Sequence, residues 1–221
     1  MNFITIASIP ERLDVLTDTI ESLYNQADEI NLYLNNYKDN PFKGDKKINV
    51  VLGDNSKGDA GKIFFADKVS GFYFMADDDL IYPDNYVSNT LQNYYLKDIV
   101  TYHGRTILAK NEIKSYYKEN ARKYRCLGMV EQDVEVQIGG SGVAMFHTNN
   151  LKINFNQINE KNMFDLVLSN FAKRQKKKIT CLKHEEGWIR YNLKMVNKQT
   201  IYDKHRNDDE LQTKYYNRHF V

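Results

Sequence analysis

Residues 72–83 read FYFMADDDLIYP: an apolar, aromatic run enters three consecutive carboxylates, Asp77, Asp78 and Asp79, and returns at once to apolar residues. Residues 72–76 have the composition of a buried strand, and Pro83 with Asp84 opens a helix over YPDNYVSNTLQNYYL. The acids therefore stand where a strand ends. Adjacent carboxylates repel by roughly 3 kcal/mol per pair at about 5.5 Å and an effective dielectric near 20, before screening. In an extended chain Asp77 and Asp79 project to one side and can grip a hard divalent cation, Mg2+ or Mn2+. Positions would stay open for phosphate oxygens. A solvated loop with an N-cap aspartate is the alternative reading.

Upstream, NFITIAS (2–8) reads as a strand, and Ser8 and Glu11 stand at capping-box spacing with Pro10 in the first turn, so a helix is expected there. Leu13, Leu16, Ile20, Leu23 and Tyr24 form its apolar stripe, and EINLYLNN (29–36) follows as a second strand, which makes a βαβ unit. KINVVLGDN (47–55) is a third strand, after which SKGDAGK turns into a helix at KIFFADKV (62–69). Downstream, DIVTYHG and RTIL read as strands, and KNEIKSYYKENARKYRC (110–126) as a loop or mobile helix. VEVQIGGSGVAMFHT (134–148) has strand character on both sides of its glycines; an amphipathic helix within 159–178 and the strand ITCLK (179–183) complete the pattern. Strands alternating with helices predict an α/β fold with a mainly parallel central sheet flanked by helices. Its ligand crevice belongs beyond the carboxyl ends of the strands, where Asp77–Asp79 stand.

The 221 residues suit a single domain, with 42% hydrophobic and 27% charged residues, the balance of a folded chain. Thirty-one basic against 29 acidic residues give a net charge of +2, too balanced to imply nucleic acid. Cys126 and Cys181 lack zinc or disulfide-framework spacing and read as reduced cytosolic thiols. No window approaches a membrane span, so a cytoplasmic protein is expected. The basic run KRQKKK (173–178) and the tail 204–220 suit a solvated face, a charged glycan, or peripheral contact at the inner face of a membrane.

An apolar strand ending in Asp-x-Asp, after a first βα turn and a glycine-bearing connector, resembles the GT-A nucleotide-sugar glycosyltransferases. FMADDDLIYPDNYV is similar to the corresponding segment of their family-two inverting group, and the likeness extends over about residues 3–190. The resemblance implies a Rossmann-like GT-A fold in which Asp77 meets the donor ribose and Asp79 ligates the metal; Asp78, the third member, either joins the donor site or shapes the turn. It implies Ser8, Ile9, Arg12 and Asp54 at the nucleotide base, with Lys62 near the phosphates. Ser8 is equally explained as a helix cap and Asp54 as a turn former.

GGSG (139–142) falls where such enzymes hold a loop against donor phosphates or acceptor, so Gly140 and Ser141 are acceptor-side candidates; a bulge explains the glycines equally well. The same likeness implies Asp165 as catalytic base, although Phe164 stands where the family carries a glutamate beside it. Asp133 and Glu160 remain rivals. His184 occupies the position of a late metal-ligating histidine, or is a surface residue. Trp188, the only tryptophan, suits stacking on a sugar or a core anchor, and His103 is a further acceptor-site candidate.

The expected function is transfer of a hexosyl unit, with inversion and a Mn2+ or Mg2+ cofactor, from a UDP-sugar to a glycan or lipid-linked hydroxyl. Residues 1–100 would form the donor half, 101–190 the acceptor half, and 191–221 a tail. The competing classes are a sugar-nucleotide nucleotidyltransferase, for which ASIPERL lacks the glycine-rich loop, and a noncatalytic carbohydrate-binding protein on the same fold.

Overall fold

The computed structural model describes residues 1–196 and 198–221. In chain order the elements are β1 (Asn2–Ser8), α1 (Leu13–Tyr24), β2 (Glu29–Asn35), β3 (Ile48–Gly53), β4 (Phe72–Ala76), β5 (Leu80–Ile81), α2 (Tyr86–Asn93), β6 (Ile99–Thr101), β7 (Gly104–Ile107), β8 (Ala121–Tyr124), β9 (Val134–Val136), β10 (Ile138–Gly139), β11 (Val143–His147), α3 (Phe164–Arg174), β12 (Ile179–Cys181), β13 (Arg190–Tyr191), α4 (Ile201–His205) and α5 (Glu210–Phe220).

Eight strands form one sheet in the order β3-β2-β1-β4-β11-β6-β12-β9. β3, β2, β1 and β4 are mutually parallel, β11 runs antiparallel between β4 and β6, and β12 is again parallel to β6. The carboxyl ends of β1, β2, β4 and β6 therefore share one edge. Because β11 is reversed and Val143 pairs with Ala76, the residues preceding Val143 reach that same edge beside Asp77. A three-stranded sheet, β10-β7-β8, and the pair β13-β5 complete the scaffold.

Both faces of the large sheet are covered. Ile4, Ile6, Phe74 and Ala76 belong to one apolar cluster, whereas Phe3, Tyr73 and Met75 belong to the other, which is the two-residue alternation of a strand buried on both sides. α1 covers the first face with Leu16, Ile20 and Leu23; α3 covers the second with Phe164, Val167, Leu168 and Ala172. Truncating one of these leucines to alanine is worth about 2–5 kcal/mol.

Three local expectations are corrected. α1 begins at Leu13 after a 3₁₀ turn over Pro10–Arg12 that has no side-chain cap, because the Ser8 hydroxyl is engaged elsewhere. Residues 58–63 form a 3₁₀ turn instead of a helix at 62–69. Residues 110–126 include the strand β8, paired with β7, and bury Ile113 and Tyr116 in the core.

Candidate active site

A cavity of about 790 Å³ opens at the shared strand edge, lined among others by Ser8, Ile9, Arg12, Lys62, Asp77, Asp78, Asp79, His103, Ser141 and Asp165. These ten expected residues, remote in sequence, are brought together. The acid turn is fixed from three directions. The Asp77 N–H donates to the Gly142 carbonyl (3.0 Å) and the Tyr82 hydroxyl (2.9 Å), and the Tyr82 O–H donates to the same carbonyl (2.6 Å). Buried Thr19 of α1 donates to the carbonyls of Asp78 and Leu80, and the Asn192 N–H donates to the Asp79 carbonyl. A side chain at Gly142 would overlap the Asp77 carboxylate, so glycine there is what lets the acid lie against the loop.

The three aspartates have different surroundings. Asp77, the most exposed of them, pairs with the Lys62 ammonium at 2.5 Å, and that ammonium also reaches the Ser141 hydroxyl at 3.3 Å. Burial opposes the charge of Lys62, but Asp77 and Asp59 outweigh it and hold its pKa above the ordinary lysine value. Asp78 is buried and accepts from the Ser8 hydroxyl (2.6 Å) and the Arg12 guanidinium (2.7 Å). It is a hydrogen-bonding centre of the β1–β4 end of the cavity, more than a turn former. The Ser8 hydroxyl is thus spent on Asp78 instead of a helix cap.

Asp79 accepts no side-chain hydrogen bond among the described contacts and meets Arg12 at 3.6 Å. Its pKa is pushed up to about 7, first by burial and then by Asp77 and Asp78. An oxygen-only, underpartnered carboxylate fits a hard divalent cation that takes one or two protein ligands and completes its shell with phosphate and water. Among the described residues no three His, Cys, Asp or Glu side chains converge as a metal-ligand set.

His184 is corrected accordingly. Its Nδ1 faces the Leu182 carbonyl at 2.8 Å and its Nε2 the Arg125 carbonyl at 3.1 Å, and it does not line the cavity. Trp188 packs against Tyr86 and Tyr102 and donates to Asn85, so it serves the packing beneath the site and leaves the cavity wall to others. Asp54 is exposed and accepts from the Ser56 N–H in its own turn. Gly140 packs against the His103 ring, behind the lining residue Ser141. Of the rival acids, Asp133 pairs with Lys97 and Glu160 accepts from the Asn159 N–H; neither lines the cavity.

Asp165 stands in the first turn of α3 and accepts from the Ser141 N–H at 2.7 Å. Burial pushes the nearby His103 imidazole below its ordinary value, with Asp165 acting in the opposite direction. Several lining residues had no sequence signal. Asn35, at the end of β2, is 2% exposed; its amide N–H donates to the Gly58 carbonyl while its Oδ1 has no partner among the described residues. Asp59 accepts from the Phe164 N–H at the start of α3, leaving its Oδ1 unpaired among the described residues, and burial pushes its pKa up to about 6. Residues 199–202 and Lys204 also line the cavity, and Arg12 donates to the Gln199 carbonyl at 2.8 Å, which ties the C-terminal tail to the β1–β4 end of the cavity. The basic run is partly consumed locally: Lys177 pairs with Asp98 and Lys178 with Glu135. No helix among the described residues is long and apolar enough to cross a membrane.

No family model matches the chain, and no curated protein matches it in sequence. Among solved structures it is similar to S. aureus TarS 1-349 in complex with UDP-GlcNAc, with a TM-score of 0.51 and 11% identity over 90% of this chain and 62% of that one. A more distant likeness is to an active-site mutant of LgtC, with a TM-score of 0.37 and 12% identity over 79% of this chain and 64% of the other. The chain thus spans less than two thirds of the length of either structure. At this identity the TarS likeness speaks to architecture, and the chain has the GT-A-like fold: a large, mostly parallel sheet flanked by helices, with its cavity at the strand ends.

Proposed function

We propose that this chain is an inverting glycosyltransferase that moves a sugar from a nucleotide donor, a UDP-sugar, to the hydroxyl of a glycan or lipid-linked acceptor. The observation that carries the reading is the meeting, in one cavity at the carboxyl ends of the strands, of the acid turn Asp77–Asp79 with a separate carboxylate, Asp165. The TarS structure of similar fold binds UDP-GlcNAc, which supports a nucleotide-sugar donor.

In this reading Ser8, Ile9 and Asn35 receive the nucleoside, and the Oδ1 of Asn35 accepts from a base N–H at the place expected of Asp54. Lys62 and Arg12 face the diphosphate, while Asp79 with Asp77 would hold Mn2+ or Mg2+. When bound, the cation supplies positive charge to the departing diphosphate. Asp165 takes the proton of the acceptor hydroxyl. The acceptor oxygen then bonds to the anomeric carbon from the face opposite the leaving group, and the carbon–oxygen bond to the diphosphate breaks with its electron pair retained by the phosphate oxygen. The Ser141 N–H, donating to Asp165, orients the base.

Thermal melting with UDP, in the presence and absence of Mn2+, tests the reading. UDP with Mn2+ should raise the melting temperature, and neither ligand alone should match it. A protein whose melting is indifferent to the pair would sink the proposal.

A further inference from the structure

In the small sheet β10-β7-β8, Gly104 and Arg105 of β7 and Lys123 of β8 line the cavity. In its β7–β8 ladder Arg105 stands directly opposite Lys123. Residues directly opposed in an antiparallel pair share a face, and like charges there are destabilising. Arg125, two residues beyond Lys123, lines the same cavity. Among the described residues none of the three is ion-paired with a carboxylate.

Arg105 is also held in place. Its guanidinium lies 4.6 Å from the Tyr116 ring centroid and 5.5 Å from that of Tyr117, and it donates to the Tyr116 carbonyl at 3.3 Å. A fixed cation opposed by a second cation, with a third on the same wall, is a local charge imbalance that a bound anion would relieve.

Which reactant carries that anion follows from the strand order. The nucleotide end is built on β1 and β2, whereas β7 follows directly from β6, and β6 is separated from β1 by β4 and β11. Three strand spacings correspond to roughly 14 Å. Asp165 contacts Ser141, which immediately precedes Gly142 at the β4–β11 junction, so the base candidate lies between the two ends. His103, in the turn joining β6 to β7, experiences the fields of both Asp165 and the arginines.

Resting on the glycosyltransferase reading, we infer that the acceptor is an anionic chain, bearing carboxylate or phosphodiester groups on its repeat, and that Arg105, Lys123 and Arg125 bind those groups while a hydroxyl is presented to Asp165. The cationic face selects the acceptor and sets its register; it takes no part in bond breaking.

The test is calorimetric binding to the full chain, with UDP and Mn2+ present, of three tetrameric probes: galacturonate, a glycerol phosphate chain and neutral cellotetraose. At low salt at least one anionic tetramer should bind about tenfold more tightly than cellotetraose, and added salt should erode the advantage. The comparison of the two anionic probes distinguishes carboxylate from phosphodiester. Combining Arg105→Gln, Lys123→Gln and Arg125→Gln should reduce the advantage about tenfold. If that variant does not fold, Lys123→Gln alone, at an exposed position, should reduce it about threefold.

Equal binding of neutral and anionic probes overturns the inference, as does an advantage that survives the substitutions or disappears only when Lys176 and Lys177 of the basic run are changed to Gln. A second arm compares UDP-glucuronate with UDP-glucose. If the small-sheet substitutions abolish a preference for the charged donor and leave tetramer binding intact, the anion belongs to the donor and the inference fails. Absence of UDP binding by the unmodified protein would instead strike the glycosyltransferase reading, while the tetramer comparison still decides whether this wall binds anionic chains.

Discussion

The two ends of the cavity handle charge in opposite ways. At the β1–β4 edge the cations have internal partners: Lys62 with Asp77 at 2.5 Å, Arg12 with Asp78 at 2.7 Å. On the β7–β8 wall Arg105 and Lys123 stand opposite each other, and among the described residues neither is ion-paired with a carboxylate. The first arrangement is preorganised by the fold, so a ligand entering there meets groups already oriented by ion pairs and by the hydrogen bonds of Tyr82, Thr19 and Asn192. The second leaves its compensation to whatever binds. One edge presents paired charge in one fixed geometry; under the inference above, the other accepts charge that varies in position along a chain.

Substitutions can break or sharpen this contrast, beginning at the residue between the two ends. Asp165→Asn should lower transfer by about 10²–10⁴-fold with UDP–Mn2+ binding retained, measured by steady-state kinetics and thermal shift. Transfer at the unmodified rate would remove Asp165 from the chemistry. Asp79→Asn should cost about 10²–10³-fold in turnover and abolish the Mn2+ dependence of UDP binding, as seen by calorimetry.

The next effect concerns protonation. The Asp59 pKa is raised to about 6, so across roughly pH 4–6 the folded chain retains a proton that the unfolded chain releases. This group's contribution to stability is therefore greatest below the unfolded pKa and declines as pH rises through the folded value, by up to about 3 kcal/mol. In chelator-containing buffer the melting temperature should decline less steeply over that window in Asp59→Asn.

The Lys62–Asp77 ion pair is asymmetric, since Lys62 is 3% exposed while the Asp77 side chain is 45% exposed. Asp77→Ala strands a buried ammonium and should cost about 2 kcal/mol by chemical denaturation, whereas Lys62→Met should stay within about 1 kcal/mol. Equal losses would show that the pair is not preorganised by burial. The smallest effect is expected outside the cavity: Lys178→Gln breaks an exposed pair with Glu135 and should change stability by less than about 1 kcal/mol.

The sheet was largely legible in the sequence because strands buried on both faces, such as residues 2–8 and 72–76, are nearly continuous apolar runs. The acid turn was legible because charge at the end of such a run has few structural explanations. Residues 110–126 were not: β8 is half exposed and rich in Lys and Arg, and its strand character comes from pairing with β7. His184 illustrates another limit, since sequence position carries no information about which atoms the ring nitrogens face. Arg12 and Gln199 lie 187 residues apart, and the spacing along the chain gives no sign that the C-terminal tail completes the cavity wall. Asn35 was missed for a simpler reason: an asparagine at a strand end is also an ordinary turn residue, and only its burial with an unpaired oxygen sets it apart.

The Tyr82 hydroxyl, bridging the Asp77 amide and the Gly142 carbonyl, also has a signature in time. An amide held by two acceptors at the junction of β4 and β11 can exchange its proton only when both loops separate. Its exchange rate should follow global unfolding, hours behind the amides of the surrounding surface loops, and Tyr82→Phe should bring it forward into the local-opening regime without altering the rates along β1.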